Sequence, residues 1–351
     1  MSAEIQIQTT TGTTLTSTSP GEGYKVLGQV ATSTPQDIKQ AVDKARAAQP
    51  AWDSLPLKQR IAYVEKLKPI FESNRDKLIH LTSSEMGMPI GLSTGLFDSA
   101  IEEIDWLLHN ADSALAPVET YRSDSEVNVM LREPYGVMAA IMPWNFPLPN
   151  FVGTVIPALL AGNTVVLKYS EEIPLFSQLL QKLCQQAHLR DGIVHFITGD
   201  GTVGAQLADQ DVDLLSFTGS SATGRKLYAK AAEKFIPIIT ELGGSSPGIV
   251  FANADLDEIV PQVFWQRFSN SGQFCDGLKR LLIERPVYDL FCQKLADFTK
   301  NRMVGNPVDA DTELGPLVAK RQLDQLEDQI ADAREKGATF LTGGARPDRL
   351  D

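Results

Sequence analysis

Basic charge is scarce in this chain, as are cysteine, histidine and long apolar runs. Its 351 residues include 32 Lys and Arg against 44 Asp and Glu, a formal net charge of −12. Such a chain offers no general electrostatic attraction to phosphate backbones or anionic lipid, so neither nucleic acid nor a membrane surface is an expected partner. The three cysteines, Cys184, Cys275 and Cys292, are odd in number and widely spaced, which suits reduced thiols better than a disulfide framework. Four scattered histidines and the lack of any C-x-x-C or Cys/His spacing leave no case for a metal. No apolar run reaches the ~18 residues of a membrane span. The start, "MSAEIQIQTTTGTTLTSTSP", lacks the basic-then-apolar layout of a secretory signal, so the expected compartment is the cytoplasm.

What remains is ordinary for a soluble globular protein: 43% hydrophobic and 22% charged residues, with length for about two domains at ~150 residues each. The Thr/Ser-rich start reads as a loose or edge-strand segment. Thr34 as N-cap and Pro35 in the first turn then announce a helix, with Ile38, Ala41, Val42 and Ala45 on one face. A second helical stretch, Leu57 to Leu81, carries Ile61, Val64, Leu67 and Phe71 at similar spacing, with an interruption predicted at Pro69. "EVNVML" (126–131) alternates as a half-buried strand does.

From there the pattern changes. The apolar runs "YGVMAAIM", "NTVVLK", "IVHFI", "VDLLSF" and "IPIIT" alternate with helical stretches near 150–161, 175–188, 201–208 and 222–233. Buried strands without polar alternation, separated by helices, predict an α/β fold with a doubly wound, Rossmann-like parallel sheet. Such sheets bind ligands at the carboxyl ends of their strands. The segments at those ends are "MPWNFP" (142–147), "KYSEE" (168–172), "TGDGTVG" (198–204), "TGSSATG" (218–224) and "ELGGSSP" (241–247).

Each segment has a functional and a plainer reading. Gly219, Ser220 and Gly224 lie where free backbone N–H groups and a helix dipole favour a phosphate; a simple strand-to-helix turn competes, since this is not G-x-G-x-x-G. Lys168 reads as a ribose contact or a solvated strand end. Glu171 could accept both hydroxyls of a ribose lacking a 2′-phosphate, favouring NAD over NADP, or be a surface carboxylate. Asn145, between prolines 143 and 147, is presented rigidly as an oxyanion donor, or caps a helix starting near Pro149. Glu241 ends an apolar strand before two glycines, where an apolar background would raise its pKa for use as a base; a structural strand-end Glu is the alternative. Cys275, in "FSNSGQFCDGLKR", is a nucleophile if assisted and an inert thiol if not.

Taken together and in order, "PWNFP", "LKYSE", "FTGSSATG", "ELGGSSP" and "NSGQFC" resemble the aldehyde dehydrogenase superfamily. The resemblance runs from "SPGEG" (19–23) to "NPVDADTELGPL" (306–317). "REPYGVMAAIMPWNFP" and "GQFCDGLKR" look most like its succinate-semialdehyde dehydrogenase group. The resemblance implies Cys275 as the nucleophile, Asn145 and the Cys275 N–H as oxyanion donors, and Glu241 as the base that hydrolyses the thioester. It implies NAD or NADP held by Trp144, Lys168, Glu171, Gly219, Ser220 and Gly224, and an aldehyde substrate, with succinic semialdehyde a candidate. Tyr169 departs from the family, which often has proline there, and is expected to bear on how the adenine end is held.

The expected organisation is a cofactor-binding domain over 1–243, with 123–142 contributing a bridging or oligomerisation strand, and the N-terminal part of an incomplete α/β catalytic domain over 244–351. The family continues well beyond "ATFLTGGARPDRLD", through a glutamate-bearing E-x-F-G-P motif and a strand used in homo-oligomers. A truncated or split enzyme, or a cofactor-binding relative with little turnover, is therefore the competing expectation.

Overall fold

The computed structural model describes residues 13–346. In chain order these form β1 (Thr14–Ser19), β2 (Lys25–Ala31), α1 (Pro35–Asp53), α2 (Leu57–Val64), α3 (Leu67–Ser73), α4 (Arg75–Met86) and α5 (Ile90–Leu115). Next come β3 (Val118–Arg122), β4 (Val127–Met130), β5 (Val137–Met142), α6 (Pro147–Leu160), β6 (Thr164–Tyr169), α7 (Pro174–Gln186), β7 (Val194–Ile197) and α8 (Gly201–Asp209). The chain ends with β8 (Leu214–Gly219), α9 (Ser221–Lys234), β9 (Ile238–Leu242), β10 (Ser246–Val250), α10 (Leu256–Phe268), β11 (Leu278–Ile283), α11 (Arg285–Lys300) and α12 (Lys320–Glu335).

Two compact units result. Among the described residues the first comprises 13–17, 28–78 and 95–242, and the second 18–27, 79–94 and 243–346. The segments 18–27 and 79–94 join the second unit although they precede the first unit's sheet in sequence, an excursion the linear pattern of strands and helices does not show.

In the first unit five parallel strands run in the order β7-β6-β5-β8-β9. β5, β6 and the start of β8 are almost wholly buried, because helices cover both faces. Alternation along each strand assigns the layers. Val137, Ala139, Val166, Leu215 and Phe217 pack with Ile38, Val42 and Ala45 of α1, Val203 and Leu207 of α8, and Leu227 and Ala231 of α9. The opposite face receives α6 and α7, with Phe71 and Phe151 meeting edge to face. α1 starts where its signals place it: Thr34 and Asp37 form a reciprocal capping box ahead of Pro35 at the first position.

Two expectations need correction. The 57–81 stretch breaks at Glu65–Lys66 and at Asn74; Pro69 sits in the first turn of α3, where its missing N–H costs nothing. The 126–131 strand is not half-buried: β3 and β4 form an antiparallel hairpin of their own and every residue of both is exposed. α5, at 26 residues, had no counterpart in the sequence reading.

The second unit has a two-stranded parallel sheet, β10 beside β11. Val250, Leu256, Val260 and Phe291 form its core, flanked by Leu281, Ile283 and Leu295. Asp255 caps α10 by accepting from the N–H groups of Asp257 and Glu258.

Candidate active site

The strand order of the first unit reverses between β5 and β8: successive strands run outward one way through β6 and β7, and the other way through β9. The crevice beyond the carboxyl ends at such a switch point is where open α/β sheets bind ligands. Pro143 to Phe146 lead out of β5, and Gly219 and Ser220 out of β8, so the two segments that border this point are "PWNF" and "TGS".

Trp144 and Asn145 are both half-buried. α6 begins at Pro147 with Phe146 in the N-cap position, so Asn145 is not the helix cap that the plainer reading made it. Ser220 is the N-cap of α9, and its Oγ accepts from the Thr223 N–H at 3.2 Å. Gly219 closes β8, and a Cβ there would lie 2.6 Å from the Phe217 ring. Gly224 differs from expectation. Its N–H donates into the helix, to the Ser220 carbonyl, and is not free for a phosphate. Its missing side chain instead admits Leu242 of β9, whose Cδ2 would lie 2.7 Å from a Cβ. Gly224 thus sets helix-to-strand packing.

Lys168 is paired in register with Ile141 and Ile197 near the end of β6, and it shares its face with Val166, towards α1 and α8. It is buried, with its ammonium 3.6 Å from the Glu171 carboxylate. Burial lowers the Lys168 pKa, while Glu171 and Asp200 pull it back. Lys168 is therefore not the solvated strand end of the plainer reading, while the Glu171 side chain is partly exposed. Tyr169, the next residue, points to the opposite face. It is 2% exposed, meets Phe176 edge to face, and donates its hydroxyl to the Pro147 carbonyl at 2.6 Å. Lys168 and Tyr169 thus belong to different layers of the sheet.

Glu241 pairs with Thr218 on the edge strand β9. Ile238 and Leu242 pack on the core, so by alternation Glu241 shares the other face with Ile239; both are exposed. The apolar background expected for its carboxylate is not there.

Cys275 belongs to the second unit and is exposed. The chain reaches it through three consecutive left-handed residues, Asn270 (φ 49°), Ser271 (φ 55°) and Gly272 (φ 77°). Two of the three carry side chains, so this turn is costly and must be held from outside. Ser271 Oγ donates to the Gly315 carbonyl at 2.7 Å, and the Gln273 amide donates to the Asn270 carbonyl and accepts from the Val318 N–H. Beyond the thiol, Lys279 Nζ reaches the carbonyls of Cys275 (2.9 Å), Gly277 (3.1 Å) and Phe274 (3.4 Å). Gly244 N–H also donates to the Cys275 carbonyl, at 3.2 Å. Lys279 and Gly244 were missed in the sequence; a lysine four residues past a candidate nucleophile was the available signal. Cys184, by contrast, is buried and burial pushes its thiol up, as expected of an inert core cysteine.

The residues of the first unit suit a dinucleotide: a side-chain-free strand end, the first turn of a capped helix, and a buried cation with a partly exposed carboxylate, all along the carboxyl edge of one sheet. Among the described residues no cluster could hold a metal ion, and no helix is long and apolar enough to cross a membrane. The first unit is thus a doubly wound α/β sheet of the dinucleotide-binding kind, and the second presents an exposed thiol just past a pinned turn.

Comparison with known proteins names the family. The chain matches the aldehyde dehydrogenase family over residues 7–351 and belongs to it. It is 32% identical over 343 residues to D-glyceraldehyde dehydrogenase (NADP+) of Thermoplasma acidophilum, covering 97% of this chain and 69% of that protein. It is 34% identical over 335 residues to succinate-semialdehyde dehydrogenase (NADP+) GabD of Escherichia coli K12, covering 95% and 69%. The aldehyde dehydrogenase of Brucella melitensis biovar abortus 2308 superposes with a TM-score of 0.92 at 33% identity, over 98% of this chain and 72% of that one. The family's members are oxidoreductases that act on aldehydes with NAD or NADP.

Proposed function

We propose that this chain oxidises a small aldehyde to the carboxylic acid through a covalent intermediate on Cys275. A semialdehyde of a short dicarboxylic acid is the substrate class, as the names of relatives at 33–34% identity support: glutarate-semialdehyde dehydrogenase of Pseudomonas putida and the succinate-semialdehyde enzyme above. The observation that carries the reading is the exposed Cys275 thiol three residues past a left-handed turn, in a segment that side chains and backbone hold from several directions.

In this mechanism Cys275 gives up its thiol proton to water and, as thiolate, bonds through Sγ to the carbonyl carbon; the C=O π pair moves to the oxygen, whose charge the Asn145 amide and the Cys275 N–H stabilise. A bound NAD(P) supplies the acceptor for the hydrogen on that carbon and its electron pair. Loss of that hydride leaves a thioester on Cys275. Glu241 takes a proton from water, the resulting hydroxide adds to the acyl carbon, and the C–S bond breaks to release the acid and restore the thiol. Trp144, Lys168, Glu171, Gly219 and Ser220 would hold the dinucleotide, with Gly224 acting through packing. The first unit would form the cofactor-binding part, and the segment from 244 onward carries the nucleophile. Glu171, a partly exposed carboxylate paired with Lys168, would accept ribose hydroxyls and favour NAD by repelling a 2′-phosphate.

Steady-state assay of the full chain with NAD and NADP, against succinic semialdehyde and simple aliphatic aldehydes, tests this. Aldehyde-dependent NADH formation, abolished in Cys275→Ala and by iodoacetamide labelling of Cys275, is the expected result. Retained turnover in Cys275→Ala removes the nucleophile assignment; dinucleotide binding without any turnover favours a relative that binds cofactor only.

A further inference from the structure

The turn that presents Asn145 is poor in backbone donors. Pro143, Pro147 and Pro149 lack N–H groups, so part of the segment cannot be fastened through its own amides. The fastening comes from another element. Tyr169 ends β6, on the α6 and α7 face of the sheet, and its hydroxyl meets the carbonyl of Pro147, the first residue of α6 and two residues past Asn145. The ring is buried and locked edge-on against Phe176, with centroids 6.0 Å apart. Burial pushes the phenol up, so the hydroxyl keeps its proton and its role as donor.

We infer that Tyr169 is a positioning residue: its hydroxyl clamps the start of α6 and thereby holds the Pro143–Pro147 turn, and the Asn145 amide on it, in place for the developing oxyanion. The inference rests on the reading of Asn145 as oxyanion donor. Such donors act because they are held in position before the charge appears. A 1 Å misplacement costs up to about a hundredfold in rate, so the partial slack left by losing one tether is expected to cost about tenfold.

Tyr169→Phe removes the hydroxyl and keeps the ring. Two readouts on the full chain decide the matter. In the cofactor-free protein, hydrogen exchange of the Trp144, Asn145, Phe146 and Leu148 amides should quicken by about fivefold or more, with the amides of β9 unchanged. In steady state, kcat should fall about tenfold with KM near its original value, and Tyr169→Phe should cost nothing further when added to Asn145→Ala. Unchanged exchange around Asn145, or a kcat loss that simply multiplies with that of Asn145→Ala, overturns the clamp. If Asn145→Ala alone leaves kcat intact, the oxyanion reading fails, and the exchange result still decides whether the hydroxyl holds the turn.

Discussion

Neutralising Glu171 should weaken the first unit through its effect on Lys168. The Lys168 side chain is 5% exposed and that of Glu171 33% exposed, with 3.6 Å between the charges. At that distance two unit charges attract by about 4.6 kcal/mol at an effective dielectric of ~20 and by about 1 kcal/mol in bulk water. Glu171 keeps one side in solvent, so screening discounts the net effect to about 1–2 kcal/mol. In Glu171→Gln the buried cation keeps Asp200 as a remaining counter-charge and loses the stronger one. The double variant Lys168→Met/Glu171→Gln should recover most of the loss, because an apolar chain of similar length replaces a buried cation that no longer has its partner. Native-state hydrogen exchange of the β6 amides reads this unit without assuming one transition for the whole chain. The pH dependence adds a check on sign. Burial holds the folded Lys168 pKa below the usual lysine range, so at alkaline pH the unfolded chain binds more protons, and stability rises with pH between the depressed folded value and the unfolded one. Removing Glu171 lowers the folded value further and should widen that rising window downward in pH. If Glu171→Gln leaves β6 protection unchanged, or the double variant is weaker than the single, the pair is not coupled as argued.

Two further perturbations probe the packing around the proposed site residues. Lys279→Met removes a cation hydrogen-bonded to three carbonyls around Cys275; iodoacetamide labelling of Cys275, followed by peptide mass, should slow about three- to tenfold, Lys279→Arg should restore much of the rate, and an unchanged rate in Lys279→Met would show that the turn holds without it. Gly224→Ala adds a Cβ 2.7 Å from Leu242 Cδ2. Alanine would gain ~0.5–1 kcal/mol of helix propensity, but overpacking costs about 1–3 kcal/mol, so a net fall in thermal stability is expected and a rise would show that Leu242 gives way freely.

The sheet of the first unit was legible because its central strands β5, β6 and β8 are largely buried on both faces and all five strands read as short apolar runs between helices. Caps were legible for a local reason: Thr34, Pro35 and Asp37 act within one turn of the chain. Elements whose burial is decided by distant residues were not. The β3–β4 hairpin alternates like a half-buried strand and yet is exposed throughout. The grouping of 18–27 and 79–94 with the second unit rests on contacts such as Ile90 N–H to the Pro307 carbonyl, more than two hundred residues away, which no local pattern encodes. The conformation at Asn270 and Ser271 was equally hidden, since neither residue is glycine and the turn is maintained by Gly315, Gln273 and Val318.

Site residues divide along the same line. Motif order singled out Asn145, Lys168, Glu171 and Glu241 as candidates, and a parallel sheet delivers such strand ends to one edge whatever the details of packing; Cys275 lies in the second unit, outside that sheet. What each side chain faces depends on strand parity, and parity separates neighbours completely. Lys168 and Tyr169 are adjacent in sequence, yet one faces α1 and α8 while the other hydrogen-bonds the start of α6. A proline expected at 169 and a tyrosine found there looked like a change at the cofactor's edge. With period-two alternation it is a change in the layer beneath, where a proline could offer no hydroxyl to Pro147. The consequence of the departure should therefore be read at Asn145 and in kcat, while dinucleotide affinity stays with Lys168, Glu171 and the first turn of α9.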